Sequence, residues 1–223
     1  MTTTYLTEGL DPALDQAVTE AHAVAMTAIK PDLTPEPLRI DLGCGPNKQP
    51  GHVGVDRIAF DGVDHVLDIG LFRWPFADGS VDEAYSSHCV EHLTAMERCR
   101  FFNELYRVLK PGAKAKIITP HWSTCRAYGD PTHAWPPIGE FFFMYLRRDW
   151  RLGSADGSIK ANAPHTDISY WRPGYSCDFD FDPAEIQYGV NRMLANRNPV
   201  FRQFAENHYR EYVYDIIVTL TKR

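Results

Sequence analysis

Between Leu38 and Asp56 the chain reads LRIDLGCGPNKQPGHVGVD, and this stretch constrains the fold more than any other. Leu38-Arg39-Ile40-Asp41-Leu42 predicts a short buried strand that runs straight into Gly43-Cys44-Gly45. Glycine has no Cβ and accepts positive φ, so a ligand can approach the backbone of such a turn closely. A second apolar run, Val53-Gly54-Val55, ends at Asp56. An acid at the tip of the second strand can accept hydrogen bonds from a ribose diol. Strand, glycine turn, strand and acid, in that order, describe a nucleoside held at the carboxyl edge of a parallel sheet.

Downstream, strands and helices alternate. His65-Val66-Leu67 predicts a third strand, ending at Asp68-Ile69, and Val81 to Ser86 a fourth. Thr94 to Leu109 predicts an amphipathic helix opened by the capping box Thr94/Glu97 and stopped at Lys110 to Gly112. Ala113 to Thr119 predicts a fifth strand. A further strand is expected at Cys177 to Phe181, and helices at about 183–194 and 200–209. A last strand is expected at Tyr212 to Thr221, antiparallel because its return path is short. Such alternation predicts an α/β domain built on a parallel sheet. Ahead of it, residues 11–30 carry apolar positions at helical spacing, with Asp11 and Pro12 at the start. Pro31, Pro35 and Pro37 form a stiff linker, so residues 1–37 are expected as helix and linker and 38–223 as the main domain.

Asp41-Leu42-Gly43-Cys44-Gly45 resembles the first motif of class I S-adenosylmethionine (SAM) methyltransferases. It is not the dinucleotide fingerprint G-x-G-x-x-G, because Pro46, Asn47 and Lys48 follow Gly45. Two further motifs carry the resemblance through residue 120. Pro75-Phe76-x-Asp78-x-Ser80-Val81-Asp82 leads to Ser87-His88-Cys89-Val90-Glu91-His92-Leu93, and Glu104 to Gly112 reads ELYRVLKPG. The resemblance implies a Rossmann-like, doubly wound, mostly parallel seven-stranded sheet with helices on both faces. It also implies a substrate-side insertion after strand five, at about 121–175. SAM is then the methyl donor and S-adenosylhomocysteine the product. Asp41, Gly43, Cys44 and Gly45 are expected at the methionine portion, with His88 beside it. Asp56, with its neighbour Arg57, is expected at the ribose, and Asp68 and Ile69 at the adenine. His92 is expected to make a structural hydrogen bond.

One departure from that family stands out. Only residues 46–52 separate Gly45 from Val53, too few for the dozen or more residues of a usual parallel crossover. The expectation is a tight loop whose N–H groups form an anion-binding nest, with Lys48 adding charge near the cofactor carboxylate. The pattern GCGPxKxPGxxxVD resembles a methyltransferase-like subgroup associated with polysaccharide biosynthesis.

Past strand five the chain turns rich in His, Trp, Tyr and Pro. His121, Asp130, His133 and His165 fall in this segment. A histidine near neutral pKa can take the proton of an attacking hydroxyl, and His121 is the first candidate base, His133 the second. The same four side chains are also an alternative divalent-metal set, although their spacing matches no compact ligand motif. Trp122, Tyr128, Trp135, Phe141, Phe142, Phe143 and Tyr145 are expected as core and pocket walls, and a short helix is expected at Glu140 to Arg148.

The formal net charge of −6 disfavours a large nucleic-acid partner, apart from a local basic patch at Arg147, Arg148 and Arg151. Five cysteines without a CxxC pair suggest neither a disulfide framework nor a thiolate zinc site. A reducing cytoplasm, with no signal peptide and no membrane span, fits best. The chain is therefore read as an enzyme that methylates oxygen or nitrogen of a small molecule or glycan. Two alternatives stand beside this reading: a SAM-binding module without activity, and a SAM-using enzyme of another reaction type, metal-assisted or cyclising.

Overall fold

A computed structural model describes residues 37–154, 156–158 and 177–223. The expected N-terminal helix, its linker and His165 lie outside the described residues. Seven strands form one sheet: β1 (Arg39–Leu42), β2 (Val53–Asp56), β3 (His65–Val66), β4 (Val81–Ser87), β5 (Leu109–Pro120), β6 (Phe181–Val190) and β7 (Val213–Lys222). Their order is β3-β2-β1-β4-β5-β7-β6. The first five are parallel, and β7 runs antiparallel to both β5 and β6.

This order positions the site. From β1 the chain steps outward through β2 and β3, then crosses back to lay β4 on the other side of β1. Ligands of open α/β sheets bind at such a reversal, in the crevice beyond the carboxyl ends of the strands. Here that crevice opens between the end of β1, at Gly43, and the end of β4, at His88.

Alternation along each strand selects one face for the core. Ile40, Leu42, Val55, Ala84, Ala115, Ile117, Val218 and Leu220 are buried together, while Glu83, Lys114 and Lys116 on the opposite face are exposed. Helix α1 (Ala95–Val108) packs Phe101, Phe102, Leu105 and Val108 into that core. Its start is fixed by the expected capping box, in which Thr94 Oγ1 accepts from Glu97 N and Glu97 Oε2 from Thr94 N.

The sequence reading fails in three places. Residues 183–190, expected as helix, belong to strand β6. It is the edge strand, where a proline can sit with its missing N–H turned away from the ladder. Pro183 sits at a register shift there, and Ile186 and Tyr188 alternate onto the core while Glu185 and Gln187 face out. Only α4 (Arg192–Ala195) and α5 (Pro199–His208) remain helical in this part of the chain. The single helix expected at 140–148 is split into α2 (Glu140–Met144) and α3 (Arg148–Leu152). The basic patch is not free. Arg147 is paired with Asp149, and the buried Arg151 guanidinium donates to the carbonyls of Tyr145, Cys177 and Phe179. Among the described residues, no helix is long and apolar enough to cross a membrane.

Candidate active site

The turn after β1 is held shut from below and open above. Gly43 and Gly45 both adopt positive φ, at 70° and 53°. A Cβ at Gly43 would collide with the Cys89 side chain, whereas one at Gly45 would meet nothing within 4 Å. Gly43 thus lets the segment after β4 press against the turn, and Gly45 leaves the ligand side clear. Gly43 N and Cys44 N both donate to Val55 O, and Gly45 N donates to Asp56 Oδ2 at 2.8 Å. Asp56 Oδ1 accepts from Ile58 N. A carboxylate has about four lone-pair sites, so Asp56 keeps acceptor capacity for a diol. Arg57, next to it, is exposed.

The short loop 46–52 is fastened to the end of β1. Asp41 is 2% exposed, and its Oδ2 accepts from Gln49 N at 2.8 Å. Burial raises the Asp41 pKa, against the lowering effect of that bond. Asp41 therefore anchors the loop through one of its oxygens. Lys48 lies across Gly54 and pairs with Asp64 at 2.7 Å, so its charge is committed to the β2–β3 side. The N–H groups of Gly43, Cys44, Gly45 and Gln49 all donate internally, so any anion-binding nest in this loop would draw on its other N–H groups. At the end of β3, Asp68 Oδ1 accepts from Gly70 N, and Ile69 is buried in the core.

On the other side of the crevice lies a polar cleft of about 490 Å³ whose walls include His88, Glu91, Arg126, Asp130 and His133. His88 ends β4 in a left-handed conformation, φ 52°, a backbone state that costs energy for a residue with a Cβ. Its Nδ1 is 3.2 Å from Glu91 Oε1. That hydrogen bond raises the His88 pKa, outweighing burial, which lowers it. Glu91 is 4% exposed, and its Oε2 has no hydrogen-bond partner among the described residues. His133, placed in this cleft by the loop after Asp130, packs edge-on against His92 at 4.6 Å between ring centroids.

The arrangement is clasped by Arg98, a buried residue of α1. Its guanidinium donates to the carbonyls of Val90, Glu91, Ala134 and Pro136, and burial lowers its pKa to about 10. Ala134 N also donates to Glu91 O. The turn carrying Glu91 and His92 is thereby tied to the loop carrying His133.

His121 stands apart from this cleft. It is 5% exposed, with Nδ1 on Ser123 Oγ at 2.7 Å and Nε2 on Glu140 Oε1 at 3.1 Å. Tyr188 OH donates to the same Glu140 oxygen. Glu140 is held down to about 2, mainly by the His121 bond. Burial, and then Glu140, drive the Tyr188 pKa upward. A second cavity, of about 690 Å³, borders Glu140 but is lined mostly by apolar side chains such as Phe102, Trp122 and Phe142. Arg98 and Glu140 are its charged lining residues, whereas the smaller cleft gathers His88, Glu91, His92, Arg126, Asp130 and His133. Cys44 and Cys89, beside the glycine turn, are pushed up to about 11 and about 12 by burial, which removes thiolate chemistry there.

Sequence reasoning did not single out Glu91 and Arg98. The run Cys89-Val90-Glu91-His92 carried the only available signal, an acid beside a histidine just past a strand end.

Comparisons with known proteins agree with this geometry. Residues 40–117 match a family model described as a methyltransferase domain. A SAM-dependent methyltransferase from Archaeoglobus fulgidus shares 15% sequence identity, with 95% of each chain covered and a TM-score of 0.55. Residues 40–117 thus carry the match to a methyltransferase domain, and the fold is the one seen in the Archaeoglobus fulgidus enzyme. Among other similar structures, geranyl diphosphate C-methyltransferase from Streptomyces coelicolor has 16% identity, covers 93% of this chain and 82% of its own, and has a TM-score of 0.46. Phosphoethanolamine N-methyltransferase 2 from Haemonchus contortus has 15% identity, 91% and 52% coverage, and a TM-score of 0.44. No curated protein matches the sequence significantly.

Proposed function

We propose that this enzyme methylates an oxygen or nitrogen of a small molecule or glycan, and that the acceptor enters the polar cleft between His88 and His133. The observation that carries this reading is the position of His88. It follows β4 directly, adjoins the Cys89 that packs under Gly43, and forms part of the cleft wall. The open side of Gly45 and the acids ending β2 and β3 fit a nucleoside cofactor.

Bound SAM supplies an electrophilic methyl on a sulfonium, and the bond to sulfur breaks as the bond to the acceptor forms. Everything else falls to the chain. Asp56 and Asp68 hold the nucleoside portion through hydrogen bonds. Glu91 accepts from His88 Nδ1, which fixes the ring and leaves Nε2 to take the acceptor's proton, the geometry of a base oriented by a carboxylate. Alignment of the two reactants in a confined cleft supplies much of the rate. His121 is assigned a positioning role instead, since both its ring nitrogens are engaged, while His133 lines the cleft.

The test is transfer of labelled methyl from SAM to a panel of hydroxylated and amine-bearing small molecules and oligosaccharides, with the new bond assigned by NMR. Label on oxygen or nitrogen is expected. Label confined to carbon or sulfur acceptors would overturn the proposal. SAM and S-adenosylhomocysteine should each raise the melting temperature, because a ligand that binds only the folded state stabilises it.

A further inference from the structure

We propose that Glu91, His92 and His133 form a binding site for a divalent transition-metal ion of the zinc or iron(II) class, on the wall of the acceptor cleft. Each of the three residues offers one ligand atom, and these atoms lie within 4.8 Å of one another. Two imidazoles and one carboxylate are donors that suit first-row transition ions, whereas magnesium and calcium prefer oxygen sets.

An independent observation points the same way. Glu91 is 4% exposed, and its Oε1 is taken by His88, yet its Oε2 is buried with no hydrogen-bond partner among the described residues. A buried carboxylate oxygen left unpaired is costly, and a cation between Glu91 and the two rings would satisfy it.

The surroundings have the form of a metal site's outer shell. Metal-bound histidines usually donate their other ring N–H to a carbonyl or carboxylate, which fixes tautomer and orientation. His133 Nδ1 lies 3.3 Å from Ala127 O. His92 Nδ1 lies 3.0 Å from Thr132 Oγ1, whose hydroxyl donates to Asp130 Oδ1 at 2.7 Å. Both contacts occupy Nδ1 and leave Nε2 of each ring as the ligand atom. Asp130 Oδ2 lies 3.7 Å from His133 Nε2, at the edge of the site. Arg98 and the Ala134–Glu91 bond hold the two ligand-bearing loops in register. This set differs from the one the sequence suggested. His121 is closed off by Ser123 and Glu140, and Asp130 acts through Thr132.

Three protein ligands leave open coordination positions toward the cleft. That an acceptor oxygen occupies one of them, its pKa lowered by the ion, rests on the methyl-transfer reading above; the ion site itself does not.

The test uses the tag-free full chain, stripped with a chelator and titrated with Co²⁺ by visible absorption, with Zn²⁺ as competitor. Binding of about one equivalent is expected. His92→Ala and His133→Ala should each weaken it on the order of 100-fold, and Thr132→Val about tenfold. SAM affinity, measured by calorimetry on the same samples, should change by less than about threefold. No stoichiometric Co²⁺ binding by the wild type, or unchanged Co²⁺ affinity in both histidine variants, would overturn the proposal. Should a histidine variant fail to fold, unchanged affinity in Thr132→Val, at an exposed position, would do the same. Loss of SAM binding by the wild type strikes the cofactor reading alone.

Discussion

Two histidine groups stand past the carboxyl ends of β4 and β5, and their hydrogen bonding differs in kind. Both His121 ring nitrogens are engaged: Ser123 takes one, Glu140 Oε1 the other, and Tyr188 donates to the same Glu140 oxygen. Around His88, Glu91, His92 and His133 the bonds stop short, with Glu91 Oε2 unpaired and the group opening on a cleft. A completed polar network rigidifies the interior, while an incomplete one is costly unless something else binds. On the function proposed above, the difference separates a structural histidine from ones that would act on the acceptor, although both lie beyond strands of one sheet.

The contrast can be broken most directly by turnover. His88→Ala should lower kcat on the order of 100-fold, the usual worth of a positioned base. His121→Ala should leave kcat of the folded enzyme within about threefold. Equal losses in steady-state assays would erase the distinction. In stability the order reverses. His121→Ala should cost about 2 kcal/mol in urea unfolding, because Glu140 and Ser123 lose their partner, and His88→Ala should cost less.

The cofactor turn should be indifferent to both groups. Asp56→Ala is expected to weaken SAM binding about tenfold, or about 1.4 kcal/mol, while neither histidine variant shifts it by more than about threefold in calorimetry. Unchanged affinity in Asp56→Ala would reject the ribose role. Tyr188→Phe should cost about 1 kcal/mol of stability and no activity.

The smallest effect is that of acid. Glu140 titrates at about 2 in the folded protein, below the 4.5 of a free glutamate. It therefore contributes stability above pH 4.5 that is lost as pH falls through 2. Part of the side chain is exposed, so solvent screening keeps this contribution small. Glu140→Gln should flatten the fall of the urea midpoint over that range; an unaltered slope would show the His121–Glu140 bond to be without weight.

The parts legible in sequence are those whose determinants are neighbours along the chain. Gly43, Gly45 and Asp56 lie within one turn and one strand, and the Thr94/Glu97 box marks a helix start by itself. Strand β6 was misread because Pro183 and a run of mixed polarity resemble a helix start until the edge position is known. The cleft was illegible for a different reason. Glu91 and His92 occupy a single short turn with no periodicity. Their link to His133 passes through Arg98, a guanidinium bonded to backbone carbonyls. Carbonyls carry no residue identity, so no pattern in the sequence announces that contact. The loop 46–52 was correctly read as short but not as fastened, since Asp41 gives no sign in sequence of turning toward Gln49.

The brevity of that loop has a kinetic consequence. The bonds from Gly43 to Val55, Gly45 to Asp56 and Gln49 to Asp41 all close within about a dozen residues. The cleft instead joins residues from His88 to His133, and His88 in turn faces Asp215 of β7 at 3.9 Å. Loops of low sequence separation close with less entropy loss and sooner. The nucleoside half of the site should thus appear early in folding, and the acceptor half only after β7 has docked.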